Sequence, residues 1–287
     1  MVLKSLQTEL SVRGAEPDDR IQLNNLFHFE PYVHRHLDWK RPLDWLGHTP
    51  YLVIERKNRL IAALACPMDP PGVAWIRVFA CSREIRPNTA WNLLWEAARR
   101  ELSPYPDVEI ATLCPENWMQ RLVEDSGFIH THNVVLLSWE RRNQKLPEPA
   151  FQGRLRKMRQ NDLPEVLAID NASFDPLWCN SFSSLQIALA QSAFASVAVQ
   201  DSRILGYQIS TPNPLGGHLA RLAVRPEERG KGIGYALVHH VLTQFQHQGV
   251  LRVTVNTQDN NTASLALYAK ARFRRTNSVF PVYQYDL

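Results

Sequence analysis

Three glycines at every second residue, Gly230, Gly232 and Gly234, stand between a strand-like apolar run, His218–Val224, and a helical run, Tyr235–Phe245. Glycine admits positive φ and lets other atoms approach the backbone closely. A glycine-rich turn opening a helix leaves several N–H groups unpaired at the positive end of the helix dipole. Such a turn is an anion site, and a pyrophosphate suits it best. Two phosphate loops are excluded by spacing. The nucleoside-triphosphate loop requires G-x-x-x-x-G-K-[ST], whereas Lys231 is followed by Gly232. The dinucleotide fingerprint G-x-G-x-x-G opens a βαβ unit near its start, whereas Tyr235 takes the last glycine's place and the loop lies far along the chain.

The spacing that fits is Arg-x-x-Gly-x-Gly, carried by Arg229, Gly232 and Gly234. In this form the loop resembles the acetyl-CoA loop of the GNAT acetyltransferase superfamily. After a β-branched run, Val250–Val255, the segment Asn261–Phe273 is similar to the family's N-x-x-[AS]-x-x-L-Y-x-x-x-G-F. Asn261, Ser264, Leu267, Tyr268 and Phe273 are in register, and Arg272 stands where the family has glycine. The resemblance implies that backbone groups of Leu222, Ala223 and Val224 pair with the pantetheine arm and polarise the thioester carbonyl. It implies a pyrophosphate held by Arg229 and the loop Gly230, Lys231, Gly232, Ile233, Gly234 and Tyr235. Asn261 would bind the coenzyme near the pantetheine, and Tyr268 would protonate the leaving sulfur. A phenol at ~10 is close enough to a thiol at ~8.5 to serve as that acid.

The second half also resembles the ribosomal-protein N-terminal acetyltransferases, including the segment Phe174–Trp178, similar to their aromatic-Pro-Trp loop. Those enzymes carry a glutamate five residues before the motif asparagine, and here that residue is Asn256. An amide takes no proton, but it can hold a water that does, so Asn256 joins Tyr268 as a catalytic candidate. Glu227 and Glu228 read as solvated surface; Asp175 and His218 are the other candidate bases. The expected acceptor is a small-molecule amine or a peptide N-terminus. The rival reading is a protein that senses acyl-CoA without turning it over.

The elements that position these residues occur twice. Val12-Arg13 aligns with Leu155-Arg156, Asn58–Ala62 with Ser202–Gly206, Ile76–Ala80 with Ala220–Val224, and Phe128 with Phe273, all at offsets of 143–145. Taken with this repeat, the resemblance implies an α/β (α+β) architecture of two tandem GNAT folds, a layout similar to that of mycothiol synthase, each a mixed, mostly antiparallel twisted sheet with helices on both faces. The expected boundaries are a degenerate domain at 1–143, a linker at 144–151 and an active domain at 152–287. In the first copy Arg229–Gly234 is replaced by Ile85–Ala90, without glycine and with Pro87 removing one donor, and Tyr268 falls on Val123. The first copy is not expected to bind CoA in the family manner.

The chain has 287 residues, enough for two cores. Residues 1–143 hold 17 basic and 18 acidic side chains, a balance of −1; residues 144–287 hold 15 and 10, a balance of +5. A modestly basic second half suits a polyanionic ligand, but no basic stripe with interleaved aromatics suggests nucleic acid. No apolar run approaches the ~18 residues of a membrane span, and Met1–Leu10 does not read as a signal peptide. Cys66, Cys81, Cys114 and Cys179 lack metal-ligand spacing and read as reduced cysteines of a cytoplasmic protein. No metal is expected, and the assembly is expected to be a monomer or a homodimer. Seven of eight tryptophans fall in the first half and read mostly as packing. The segment His34–Trp45 reads as a solvated loop.

Overall fold

A computed structural model describes residues 10–141, 146–213 and 216–287. Residues 1–9 and the start of the expected linker, residues 144–145, lie outside the described residues. The chain divides into two compact units, Met1–Thr131 with Pro281–Leu287, and His132–Phe280. No described helix is long and apolar enough to cross a membrane.

The first unit runs β1 (Ser11–Gly14), α1 (Arg20–Phe29), β2 (Tyr32–Arg35), β3 (Tyr51–Arg56), β4 (Arg59–Ala65), β5 (Val73–Trp75), β6 (Val78–Cys81), α2 (Pro87–Leu102), β7 (Glu109–Leu113), α3 (Asn117–Asp125) and the start of β8 (Ile129–Glu140). Its strands β1-β3-β4-β6-β2 form one sheet. Both faces are apolar, as strands buried on two sides require. Leu52, Ile54, Ala62, Leu64 and Phe79 face α2 and α3, while Val53, Ala63, Val78 and Ala80 face α1 and Trp45.

The second unit continues with β9 (Arg154–Lys157), α4 (Leu163–Ser173), α5 (Phe182–Gln191), β10 (Phe194–Gln200), β11 (Arg203–Asn213), β12 (Gly216–Val224), α6 (Ile233–His247), β13 (Arg252–Gln258), α7 (Thr262–Lys270) and β14 (Arg274–Tyr285). Its sheet order is β9-β10-β11-β12-β13-β8. Helix α6 covers one face through Val238, Val241, Leu242 and Phe245.

The units do not follow the sequence division at residue 143. β8 leaves the first unit after Thr131, and its Val134–Glu140 pair with Gln258–Arg252 of β13. β14 returns, and its Val282–Tyr285 pair with Leu113–Ile110 of β7. Each half thus takes a strand from the far end of the other half's sequence.

Both units contain the same kind of parallel strand pair. Val73, Ala74 and Trp75 of β5 pair in parallel with Glu109, Ile110 and Ala111 of β7; 144 residues later, Gly217, His218 and Leu219 pair in parallel with Val253, Thr254 and Val255. Beyond that point the units differ. In the first, β6 is hydrogen-bonded on one edge to β4 and on the other to β2, with Val33 opposite Ala80 and His34 opposite Phe79.

The segment His34–Trp45 is therefore not a solvated loop, as its polar composition suggested. His34 is fully buried in β2, with Nδ1 3.0 Å from Glu116 Oε2 and Nε2 3.3 Å from Thr112 Oγ1. Asp38 accepts from Arg77 at 3.0 Å, and Lys40 pairs with Asp69 at 3.0 Å. Both cations lie over the buried Trp45 ring, at 4.1 Å for Lys40 and 4.6 Å for Arg77. Paired charges on an aromatic face make this polar stretch part of a core. Of the seven tryptophans, Trp45, Trp75, Trp91, Trp95 and Trp139 are buried.

Candidate active site

The site begins at a fault in β12. Ile209 of β11 lies opposite Arg221 and Ser210 opposite Leu219, so Ala220 is an extra residue with no partner. A bulge of this kind bends the strand that carries it. Parallel pairing to β13 stops at Leu219 and Val255. Beyond it Leu222, Ala223 and Val224 pair only with Gln208, Tyr207 and Gly206, and Asn256–Gln258 pair only with Leu136–Val134 of β8. Among the described residues no strand fills the gap, so one backbone edge of β12 is open to a ligand.

Above this gap a short turn, Pro226–Glu228, leads into α6. Gly230 and Gly232 both have φ near +81°, a conformation that side chains resist, and Gly232 is the residue that caps α6. A Cβ at Gly230 would meet open space, so backbone angle rather than crowding requires glycine there. Gly234 is different: its φ is ordinary, but a Cβ would stand 3.3 Å from Leu267 Cδ2, so it sets how closely α6 and α7 pack. The amide of Ala236 bonds the Gly232 carbonyl at 3.0 Å. Among the described residues the amides from Gly230 to Tyr235 find no acceptor, and those of α6 carry the positive end of its dipole.

The loop's own cations are otherwise engaged. Arg229 donates to the carbonyls of Val224 (3.4 Å) and Ser173 (3.1 Å), and Lys231 pairs with Glu228 at 2.8 Å. The backbone is therefore the main anion-binding group. Ile233 and Tyr235 are buried, and Tyr235 donates to the carbonyl of Pro147 at 2.8 Å.

Tyr268, on α7, is 5% exposed and packs on Phe273 with ring centres 5.6 Å apart. Burial raises its pKa, and the nearby positive charge of Arg221 partly opposes that rise. The hydroxyl therefore stays protonated at neutral pH and keeps a proton to donate. Asn261 Oδ1 accepts from the Ser264 amide at 3.0 Å and caps α7. On β13, Asn256 Oδ1 is buried without a partner, an orphan acceptor beside the strand gap. His218 Nδ1 lies 2.9 Å from Thr254 Oγ1, and burial pushes its pKa down to about 4, so the ring is neutral.

A buried ionic cluster lies beside the bulge. Arg221 donates to both carboxylate oxygens of the fully buried Asp170, at 2.8 and 2.7 Å, and Tyr207 also donates to that carboxylate. The same guanidinium lies 3.5 Å over the Phe174 ring and donates to the Trp178 carbonyl at 2.7 Å. It fastens the Phe174–Trp178 segment to β12 at the point where the strands part. Burial and the carboxylate push the Tyr207 pKa up, so its hydroxyl is a permanent donor.

Residues 161–273 match the family described as Acetyltransferase (GNAT) family. This segment belongs to the GNAT family. Its GNAT domain is similar to the L-2,4-diaminobutyric acid acetyltransferase of Nocardia farcinica, at 30% identity over 102 residues, 34% of this chain and 48% of that protein. It is also similar to N-alpha-acetyltransferase 30 of Schizosaccharomyces pombe, at 27% over 95 residues, 31% of this chain and 63% of that protein. The chain thus spans between about half and less than two thirds of the curated relatives it matches. Its fold is shared over nearly the whole length by a tandem GNAT protein from the clavulanic acid biosynthesis pathway, with TM-score 0.66, 14% identity, and 97% of this chain and 98% of that chain covered. A GCN5-related N-acetyltransferase from Sphaerobacter thermophilus gives TM-score 0.63, 16% identity, and coverage of 96% and 95%.

The GNAT domain brings Leu222–Val224, the Gly230–Tyr235 amides and Asn256 around one gap, with Tyr268 within reach of Arg221's charge on the gap's edge. It turns the side chains of Arg229, Lys231 and Asn261 to partners of their own. The sequence reading missed Arg221 and Asp170. The available signal was a basic residue inside an apolar run, repeated at Arg77 144 residues earlier.

Proposed function

We propose that the chain is an acetyl-CoA-dependent N-acetyltransferase whose active site lies in the second unit. The observation that carries this reading is a parted parallel strand pair lying under a helix N-terminus whose amides lack acceptors. The open edge of β12 suits the amide-bearing pantetheine arm, and the α6 amides suit the pyrophosphate. Acetyl-CoA supplies an activated acyl group, and this chain's residues place it and move protons.

A neutral primary amine attacks the thioester carbon in a ternary complex. Its nitrogen forms the new C–N bond and loses a proton to a water held at Asn256 Oδ1. As the tetrahedral centre collapses, the C–S bond breaks and the Tyr268 hydroxyl protonates the sulfur, to be reprotonated from solvent. Burial keeps the hydroxyl protonated at rest and also makes it a weaker acid than an ordinary thiol, so its first contribution is a hydrogen bond donated to the leaving sulfur. The relatives that act on diaminobutyrate and on protein N-termini favour a small amine or a peptide N-terminus as acceptor.

Asn256, in place of a carboxylate, favours one second reading: an acyl-CoA sensor without turnover. Release of free thiol from acetyl-CoA, measured with a panel of diamines, amino acids and peptides, separates the two. Amine-dependent thiol release supports the enzyme; stoichiometric binding without release across the panel supports the sensor.

A further inference from the structure

The strand gap is poor in groups able to hold an ammonium or take its proton. Asn256 offers it a neutral amide oxygen, buried and without a partner. The buried carboxylate of α4, Asp170, accepts two bonds from Arg221, one from Tyr207 and one from the Asn180 amide at 2.9 Å. On β13, three residues past Asn256, Asp259 accepts from the backbone and side-chain amides of Asn133 at 3.2 and 2.8 Å. Those bonds hold its carboxyl below the usual carboxylate range. In the turn before α6, Glu227 pairs with Arg203 and Glu228 with Lys231.

The histidines of the neighbouring strands do not replace these carboxylates. His218 is bonded to Thr254, and burial pushes its pKa down to about 4, which makes it a weak base. His132 of β8 packs on Trp178 with ring centres 5.5 Å apart. Leu136 is the β8 residue opposite Asn256. His132 is four residues further along, about 13 Å at roughly 3.3 Å per residue, beyond reach of a proton at Asn256. Helix α5 has no titratable side chain, α7 adds the protonated Tyr268 and the cation Lys270, and β14 begins with Arg274 and Arg275. Asp175, in the loop between α4 and α5, is exposed.

An ammonium entering this gap gives up water without gaining a carboxylate, which is costly. A neutral amine loses less and can donate one N–H to Asn256 Oδ1. Once its nitrogen has bonded to the thioester carbon it is cationic and far more acidic than a free ammonium, so a water suffices to take the proton. The fraction of acceptor already neutral in solution then limits the rate. At pH 7.4 about 30% of an α-amine with a pKa of ~7.8 is neutral, against about 0.1% of a lysine side chain at ~10.4. The greater nucleophilicity of the more basic amine recovers part of that difference.

We propose that this site works without a side-chain base and so selects weakly basic amines, the α-amine of a peptide or amino acid amide over an aliphatic side-chain amine. The proposal rests on the acetyltransferase reading above. Its test is the pH dependence of kcat/KM for thiol release from acetyl-CoA by the full chain, from pH 6 to 10. The acceptors are a lysine-free peptide with a free α-amine, an N-acetylated peptide with one lysine, an amino acid amide and a simple alkylamine. At neutral pH each α-amine should be used about tenfold better than its aliphatic counterpart, or more. The rising limb should follow the acceptor, levelling near pH 8 for the α-amines and still climbing at pH 10 for the others. Asn256→Asp supplies the missing carboxylate and should cut the preference about tenfold; the wild-type profiles decide the matter if that variant does not fold. A limb with one midpoint for every acceptor, or one abolished by His132→Gln or Asp175→Asn, identifies a side-chain base and overturns the proposal, leaving the enzyme reading standing. Preference for the aliphatic amines at neutral pH also overturns it. Thiol release with none of the four acceptors counts against the enzyme reading and takes this proposal with it.

Discussion

The two units make the same parallel strand junction, at Val73–Trp75 with Glu109–Ala111 and at Gly217–Leu219 with Val253–Val255, and then treat what lies beyond it in opposite ways. In the second unit the edge of β12 past the junction is left open. In the first, β2 occupies the corresponding edge of β6, residue for residue, from Tyr32–Cys81 to Arg35–Val78. The turns that follow differ in composition: at the offset of 144, Pro87 stands where Lys231 does and has no N–H to offer, whereas around Gly230–Tyr235 every amide is present and finds no acceptor among the described residues. An open strand edge is thus a matter of withheld partners, and in the first unit the chain supplies them through β2.

The comparison can be broken most severely at the turns. Gly232→Asp puts a carboxylate into the anion cradle at a left-handed position. It should weaken acetyl-CoA binding by about a thousandfold or more, ~4 kcal/mol, in calorimetric titration. The matching Asn88→Asp should leave affinity unchanged and stoichiometry at one per chain. A second bound coenzyme in the wild type would end the argument that the first cleft is closed.

The two buried arginines come next. Arg221→Met leaves Asp170 buried without its cation, and Arg77→Met does the same to Asp38. Each should lower unfolding stability by about 3–5 kcal/mol in denaturant titrations. Only Arg221→Met should also reduce turnover of the protein that remains folded, because only Arg221 holds the Phe174–Trp178 segment. Equal loss of turnover in both variants would make the cluster a stability feature alone.

A smaller effect is expected at the acid. Tyr268→Phe should lower kcat about a hundredfold with little change in KM, whereas changes at its counterpart Val123 should alter stability only. Unchanged kcat would remove Tyr268 from the chemistry.

The smallest effect concerns pH. His218 has its pKa pushed down to about 4 by burial, and its counterpart in the first unit is Ala74. The folded state binds this proton less readily than the unfolded chain. The associated stability is therefore full above about pH 6.5 and falls as pH drops toward 4, by about 2–3 kcal/mol at pH 4.5. Thermal melts from pH 7 to 4.5 should show His218→Gln flattening that part of the decline. An equal decline in the variant would assign it to other groups.

The glycine turn and the elements around it were legible because each depends on local pattern: glycine spacing and alternation, with similar elements recurring at an offset near 144. The role of β2 was not legible. Tyr32–Arg35 carries a histidine at an interior position, which becomes tolerable only once Glu116 and Thr112, about 80 residues away, complete its hydrogen bonds. Arg221 and Asp170 were hidden for the same reason, since each is costly to bury alone and acceptable as a pair. The motif side chains Arg229 and Asn261 were found by spacing, but spacing could not tell that their polar atoms are spent on the turn and the helix cap.

The exchange of strands has a consequence for how the molecule is made. The residues that pair with β7, Val282–Tyr285, are encoded after the whole of the second unit. The strand that the second unit takes from the first half, Val134–Glu140, is encoded before it. A ribosome delivering the chain from its amino end therefore makes the whole of the second unit before the first unit has its last strand, so the half made first cannot complete its sheet ahead of the other, unlike the usual order in which domains fold during translation.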